Sequence, residues 1–299
     1  MGGGADPEGA YAPYHLINAT LNLNSSTDPS LRGRQGDFLL FSKLFVGSCH
    51  TGWCATTEIE RVDPAMNLGT AMAISGGVAN PSMGTMTSPG LTLLMALFNL
   101  RMGYWLPNPR HILAGAMSGQ TFQLAPGAEY LRREAFRNLN AGHRYVNASD
   151  GGHIENLGVY ELLRRRASLI ISVDGEEDDA LTMGSLATAL RYARIDLGVV
   201  VDIELNDLRG TSARKGVAHH AVGHIRYSPT EVGVLIYIKA RLTGDESLSM
   251  ETYAAANATF PHESTADQFF GEEQFEAYRS LGEHSVKGIE RFPGLPGYE

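Results

Sequence analysis

The stretch Tyr145–Gly175, YVNASDGGHIENLGVYELLRRRASLIISVDG, decides how the fold is read. A short apolar run ends in an Asp-Gly-Gly turn, an amphipathic segment follows, and a second apolar run closes on Asp-Gly. Short β-prone runs bounded by Gly and Asp read as strands, and the i, i+3, i+4 apolar spacing between them reads as a helix. Working outward, EYLRREAFRNL (129–139) is expected to be helical, SLATALRYARIDLG (185–198) helical and VVVDIEL (199–205) a strand. Strands alternating with helices imply an α/β fold with right-handed crossovers in a parallel sheet. Near-continuous apolar strands imply helices on both faces. AVGHIRYS (221–228) and VGVLIYIKARL (232–242) flank Pro229-Thr230-Glu231 and predict a hairpin at the sheet edge.

Upstream, residues 1–36 are rich in Gly, Asn, Ser and Pro and are expected to be loops with a poorly ordered start. DFLLFSKLFV (37–46) reads as one buried strand. The expected organisation is therefore a loop-rich segment over 1–36 followed by one α/β domain over 37–299. ISGGVANPSMGTMTSPG (74–90) holds too much Gly and Pro for a long helix. LTLLMALFNLRMGYWL (91–106) reads as a buried helix, because Asn99 and Arg101 interrupt it and it falls short of the ~20 apolar residues of a membrane span.

Composition excludes several classes. A net charge of −9 with scattered basic residues leaves no stripe to neutralise a nucleic-acid backbone. The one basic cluster, Arg164–Arg166, stands where a helix should end, and the helix dipole favours cations there. Two cysteines, Cys49 and Cys54, make no disulfide framework and no zinc ribbon. The start lacks a charged and apolar leader, so a cytoplasmic or membrane-peripheral location is expected. The sequons at Asn18 and Asn257 are then incidental.

Asp150 is the residue that carries chemistry. In an open α/β sheet reacting groups gather beyond the carboxyl ends of strands, and Asp150 stands just after the strand expected over RYVNAS (144–149). Gly151 and Gly152 would let the backbone turn sharply and come close to a substrate. The bland reading is equally physical: Asp-Gly is a common turn pair, and Ser149 or Asp150 would cap a helix starting near Glu155.

The segment SDGGHIENLGVYELLRRRASLIISVDG resembles the aspartate motif of the patatin-like phospholipases and, more distantly, the cytosolic phospholipase A catalytic domain. PYHLINATLNL, LGTAMAISGGVANPSMG, LFNLRMGYWLPNP and NATFPHESTADQFFGEEQFEAYRSLG are similar to large bacterial members of that family, so the resemblance runs from about residue 13 to about residue 282. It implies a three-layer acyl-hydrolase sheet, incomplete at its N-terminal side, a Ser-Asp dyad with Asp150 as its aspartate, a lipid ester substrate, peripheral membrane contact, and neither cofactor nor metal. A carboxylate is a weak base towards a serine hydroxyl, so Asp150 would need to be desolvated and within hydrogen-bond reach of that serine. His153 is then a structural or rim residue.

The family's Gly-x-Ser-x-Gly nucleophile is absent. Ser75 in AISGG is the nearest approach, and Gly2–Gly4 lacks the arginine of the family's oxyanion loop. The chain reads as the part of the domain that follows the nucleophile, inactive alone. The alternative is a non-catalytic module with the same fold that binds lipid or protein. His219, His220 and His224 lack the HExxH arrangement and read as strand, Asp174–Asp179 reads as a solvated acidic loop, and GTSARKG (210–216) lacks the Walker spacing.

Overall fold

The structure is a computed structural model that describes residues 13–31, 33–77, 103–117, 127–210, 216–264, 269–287 and 289. The chain is mixed α/β and divides into two compact units between Asn156 and Leu157.

The first unit is built on a six-stranded sheet in the order β4-β3-β2-β1-β6-β5, with β1 at Leu16–Asn22, β2 at Gly36–Ser42, β3 at Phe45–Ser48, β4 at Gly52–Ala55, β5 at Tyr104–Pro107 and β6 at Tyr145–Asp150. Every neighbouring pair is antiparallel, in place of the parallel sheet expected from the strand–helix alternation. β1 lies in the segment whose composition marks it as loop, and it is a central strand. Its polar residues mislead: Thr20 and Asn22 are fully buried because each is hydrogen-bonded, Thr20 Oγ1 to the Asp150 carbonyl at 2.7 Å and Asn22 Nδ2 to Asn147 Oδ1 at 2.8 Å. A buried polar group with a partner loses most of its desolvation penalty. The single strand expected over 37–46 is two, β2 and β3, folded back at Lys43-Leu44 with Phe41 opposite Val46. Helices α1 (Thr56–Val62), α2 (Leu68–Ser75), α3 (Pro109–Leu113) and α4 (Gly127–Ala135) complete the unit among the described residues. Ile17, Ala19 and Leu21 of β1 and Val146 and Ala148 of β6 pack with Ala71 and Ile74 of α2 in its apolar core. α4 stops before its expected end, and Arg137 takes a left-handed backbone at φ 56°. Most of the apolar run 91–106 lies outside the described residues, but its end, Tyr104–Leu106, is strand β5 and not helix.

In the second unit α5 (Val159–Arg164) precedes a four-stranded sheet in the order β7-β10-β9-β8, with β7 at Leu169–Asp174, β8 at Val200–Ile203, β9 at His220–Ser228 and β10 at Glu231–Lys239. Only β7 and β10 run parallel; the other pairs are antiparallel. β6 and β7 belong to different sheets, so no crossover joins them. The expected β9–β10 hairpin is there, at the centre of the sheet and not at its edge. β7 is an edge strand with Ile171 and Val173 exposed, so its apolar run does not mean cover on both faces. Helices α6 (Gly184–Leu197), α7 (Asn206–Arg209), α8 (Leu248–Ala256) and α9 (Glu272–Ser285) follow. α5 ends at Arg164 as the arginine triplet implies, and Arg164 and Arg165 both bind the buried Glu161 at 2.7 Å. Gly2–Gly4 and residues 211–215 of GTSARKG lie outside the described residues.

Candidate functional site

Asp150 closes β6. The period of two along the strand puts it on the face of Val146 and Ala148, opposite Ala19 of β1. The chain then turns through a short 3-10 segment, Gly151–His153, which Asp150 caps: Oδ1 accepts the Gly152 N–H at 2.7 Å. The half-buried carboxylate thus has one oxygen committed, and among the described residues the other takes no hydrogen bond. The helix expected from Glu155 begins at Val159, after Gly158 in the left-handed region at φ 68°.

At both glycines a Cβ would collide with a neighbour, with rigid backbone at Gly151 and with side-chain ends at Gly152. Neither takes a left-handed backbone. A Cβ on Gly151 would stand 2.7 Å from the Asn18 carbonyl oxygen, and one on Gly152 would stand 2.0 Å from Asn156 Oδ1. The close approach that Gly151 permits is therefore to the chain's own β1.

Ser75 comes to the same place from α2. Its hydroxyl donates to the Asn18 carbonyl at 2.7 Å, the oxygen against which Gly151 packs. It is, however, the last residue of its helix, where the dipole is negative and the free groups are carbonyls. An elbow serine stands at a helix N-terminus, where N–H groups stabilise the developing oxyanion. Ser75 has the opposite polarity, so its neighbourhood does not make it a nucleophile.

On the other face of β6 a second serine meets a histidine. Ser149 Oγ lies 3.0 Å from His153 Nδ1 and accepts from Asn22 Nδ2 at 2.9 Å. Residue spacing did not single out this pair, although i, i+4 across the turn is the signal that would have found it. Ser149 is fully buried and His153 is 5 % exposed, so no substrate reaches the hydroxyl. Together with Asn22 and Asn147 the pair forms a hydrogen-bonded polar layer under the sheet, so of the two expected places for His153, structural or rim, it takes the structural one.

Of the remaining residues, Cys49 is exposed and Cys54 buried, both free, and burial pushes the Cys54 thiol up to about 11. Asp174 does not belong to a solvated loop: it is 2 % exposed and accepts from Lys239 Nζ at 2.9 Å and from the Tyr237 hydroxyl. Asp178 caps the chain before α6 through the Thr182 and Met183 N–H groups. His220 and His224 lie on β9, whereas His219 precedes it and gathers with Asp245, Glu246 and His284. No described helix is long and apolar enough to cross a membrane.

No protein-family model matches the chain, and no curated protein is significantly similar to it.

Proposed function

We propose that the chain carries the aspartate half of a Ser-Asp dyad in a patatin-like acyl hydrolase acting on a lipid ester. The observation that supports this most is the placement of Asp150. It is the last residue of a strand, on the apolar face of its sheet, held by one N–H, with its second oxygen free of hydrogen bonds among the described residues. In the reaction a serine oxygen attacks the ester carbonyl, and Asp150 takes the serine proton and passes it to the departing alcohol. The carboxylate then takes a proton from water, whose oxygen attacks the acyl-serine, and passes that proton to the departing serine oxygen as the fatty acid is released. The serine is not part of a Gly-x-Ser-x-Gly motif in these 299 residues, so this reading draws it from a segment outside them.

The test joins the chain to the segment encoded before it and follows release of an acyl group from a chromogenic ester. Hydrolysis that falls by a factor of ~10³ or more in Asp150→Asn is the expected outcome; unchanged activity in that variant removes Asp150 from the mechanism.

A second reading, a lipid-binding module without catalysis, is favoured by a cavity of about 660 Å³ between α8 and α9, lined by Leu248, Tyr253 and Ala277 with Glu273 and Glu276. That volume suits one small apolar ligand. Saturable binding of a fluorescent fatty acid to the chain, lost in Ala277→Trp, supports this reading; no binding counts against it.

A further inference from the structure

Three segments far apart in sequence meet beside α9. His219 comes just before β9, Asp245 and Glu246 lie in the loop between β10 and α8, and His284 stands in the last turn of α9. One ligand atom from each lies within 4.8 Å of the other three. The His219 and His284 rings meet edge to face at 5.0 Å, and His284 Nε2 lies 3.1 Å from Asp245 Oδ1.

Proton counting shows what the cluster is short of. The single proton of Ser285 Oγ goes to the Leu281 carbonyl at 2.8 Å, so at 3.3 Å this oxygen accepts from His219 Nδ1. That fixes the tautomer and leaves a lone pair on His219 Nε2, facing the cluster. There it meets Thr243 Oγ1 at 3.0 Å, and the same hydroxyl contacts Asp245 Oδ1 and, at 3.3 Å, Glu246 Oε1. Three acceptors compete for one proton. Glu246 also draws on the Thr243 and Gly244 N–H groups, which orient it without removing its charge.

We propose that His219, Asp245, Glu246 and His284 bind one divalent transition-metal ion of the zinc or cobalt kind. A cation supplies the positive charge that converging lone pairs lack. Two imidazoles with two carboxylates favour such an ion over magnesium or calcium, which take oxygen ligands. Ligands at ~2.0–2.2 Å from a tetrahedral metal stand ~3.3–3.6 Å apart, close to the 3.1 Å between His284 and Asp245. Asp245, whose side chain is 75 % exposed, has room to rotate and close the remaining gap. Ser285 acts as the outer partner that aims His219, as ligating histidines commonly require. The bound ion ties β9, the loop over 243–246 and α9 together.

The experiment strips the 299-residue chain with a chelator and titrates it with cobalt(II), reading the visible d–d bands and the bound metal by mass spectrometry. One equivalent with tetrahedral-type bands, displaced by zinc, is expected. His284→Ala and Asp245→Asn abolish the bands or weaken binding at least ~10-fold, Ser285→Ala weakens it ~10-fold or more, and His224→Ala, at an exposed residue outside the cluster, leaves it unchanged. Asp245→Asn alters an exposed side chain and keeps the test decisive if a histidine variant fails to fold. Absence of stoichiometric uptake, or equal uptake by the chain and by Asp245→Asn and His284→Ala with unchanged circular dichroism, overturns the proposal.

Discussion

Asp150 and Asp174 sit in the same local grammar: each is the last residue of a strand and each is followed by glycine. Their surroundings are opposite. Asp174 is buried, with Lys239 and the Glu176 N–H on one oxygen and the Tyr237 hydroxyl on the other. Asp150 is half-buried and keeps one N–H. The first is a carboxylate whose charge is fully answered by the fold, and the second is one whose charge is left partly available. The difference comes from residues 63 and 65 positions away in sequence, delivered by the parallel pairing of β7 with β10. Asp-Gly at a strand end therefore says where a carboxylate stands and nothing about whether it is free to react.

The largest effect follows from breaking the answered pair. Lys239→Met leaves the Asp174 carboxylate buried without its cation, and such a removal costs about 3–5 kcal/mol. Burial together with the Asp174 carboxylate already pushes the Tyr237 phenol far above its usual value, so the hydroxyl stays a donor and cannot replace the lost charge. Guanidinium denaturation measures the loss. A change below about 1 kcal/mol would mean that the Asp174 carboxylate is not held in the interior by Lys239, and the contrast with Asp150 would collapse.

Gly151→Ala comes next. Its Cβ would stand 2.7 Å from the Asn18 carbonyl oxygen, a backbone atom of a central strand that has little freedom to withdraw. Overpacking of this kind costs about 1–3 kcal/mol, and the same melts detect it. It also displaces the turn that holds Asp150. A neutral result would show that the glycine serves something other than packing.

Strand ends, the β9–β10 hairpin and the helix stop at the arginine triplet were legible because each depends on neighbours within a few residues. β1 was not: Thr20 and Asn22 look like loop until their partners at Asn147, Ser149 and Asp150 are in place. The all-antiparallel first sheet was hidden for a related reason, since alternation of strand and helix does not say that β6 and β7 belong to different sheets. Asp150 and its glycines could be singled out locally, whereas the pairing of His219 with His284 joins residues 65 positions apart, for which no spacing rule exists.

A third aspartate lies between the two extremes. Asp37, 7 % exposed, is paired at 2.7 Å with His50, a cation that comes and goes with pH. The hydrogen bond to Asp37 is the main cause raising the His50 pKa above its ordinary 6.5. A raised folded value means that the stabilisation is complete below the unfolded value near 6.5 and is lost as pH rises through the higher folded one. The stability difference between the chain and His50→Gln should therefore shrink as pH rises above about 6.5, by less than ~1 kcal/mol because the ring is partly exposed. A difference that grows with pH would reverse the assignment of His50 as the cation in this pair.

The smallest stability effect belongs to Asp150→Asn, and that is what makes the variant useful. An asparagine side-chain oxygen caps a turn about as well as an aspartate, so the hydrogen bond to the Gly152 N–H survives and stability changes by less than ~0.5 kcal/mol. The substitution removes the charge and the capacity to take a proton while leaving size and cap in place. Folding energy and chemistry are thus separated at Asp150 in a way that Asp174 does not allow, where loss of charge would strand Lys239. A melt showing a loss of more than about 1 kcal/mol in Asp150→Asn would mean that its carboxylate is also answered by the fold, and a drop in ester hydrolysis could no longer be assigned to the proton it accepts.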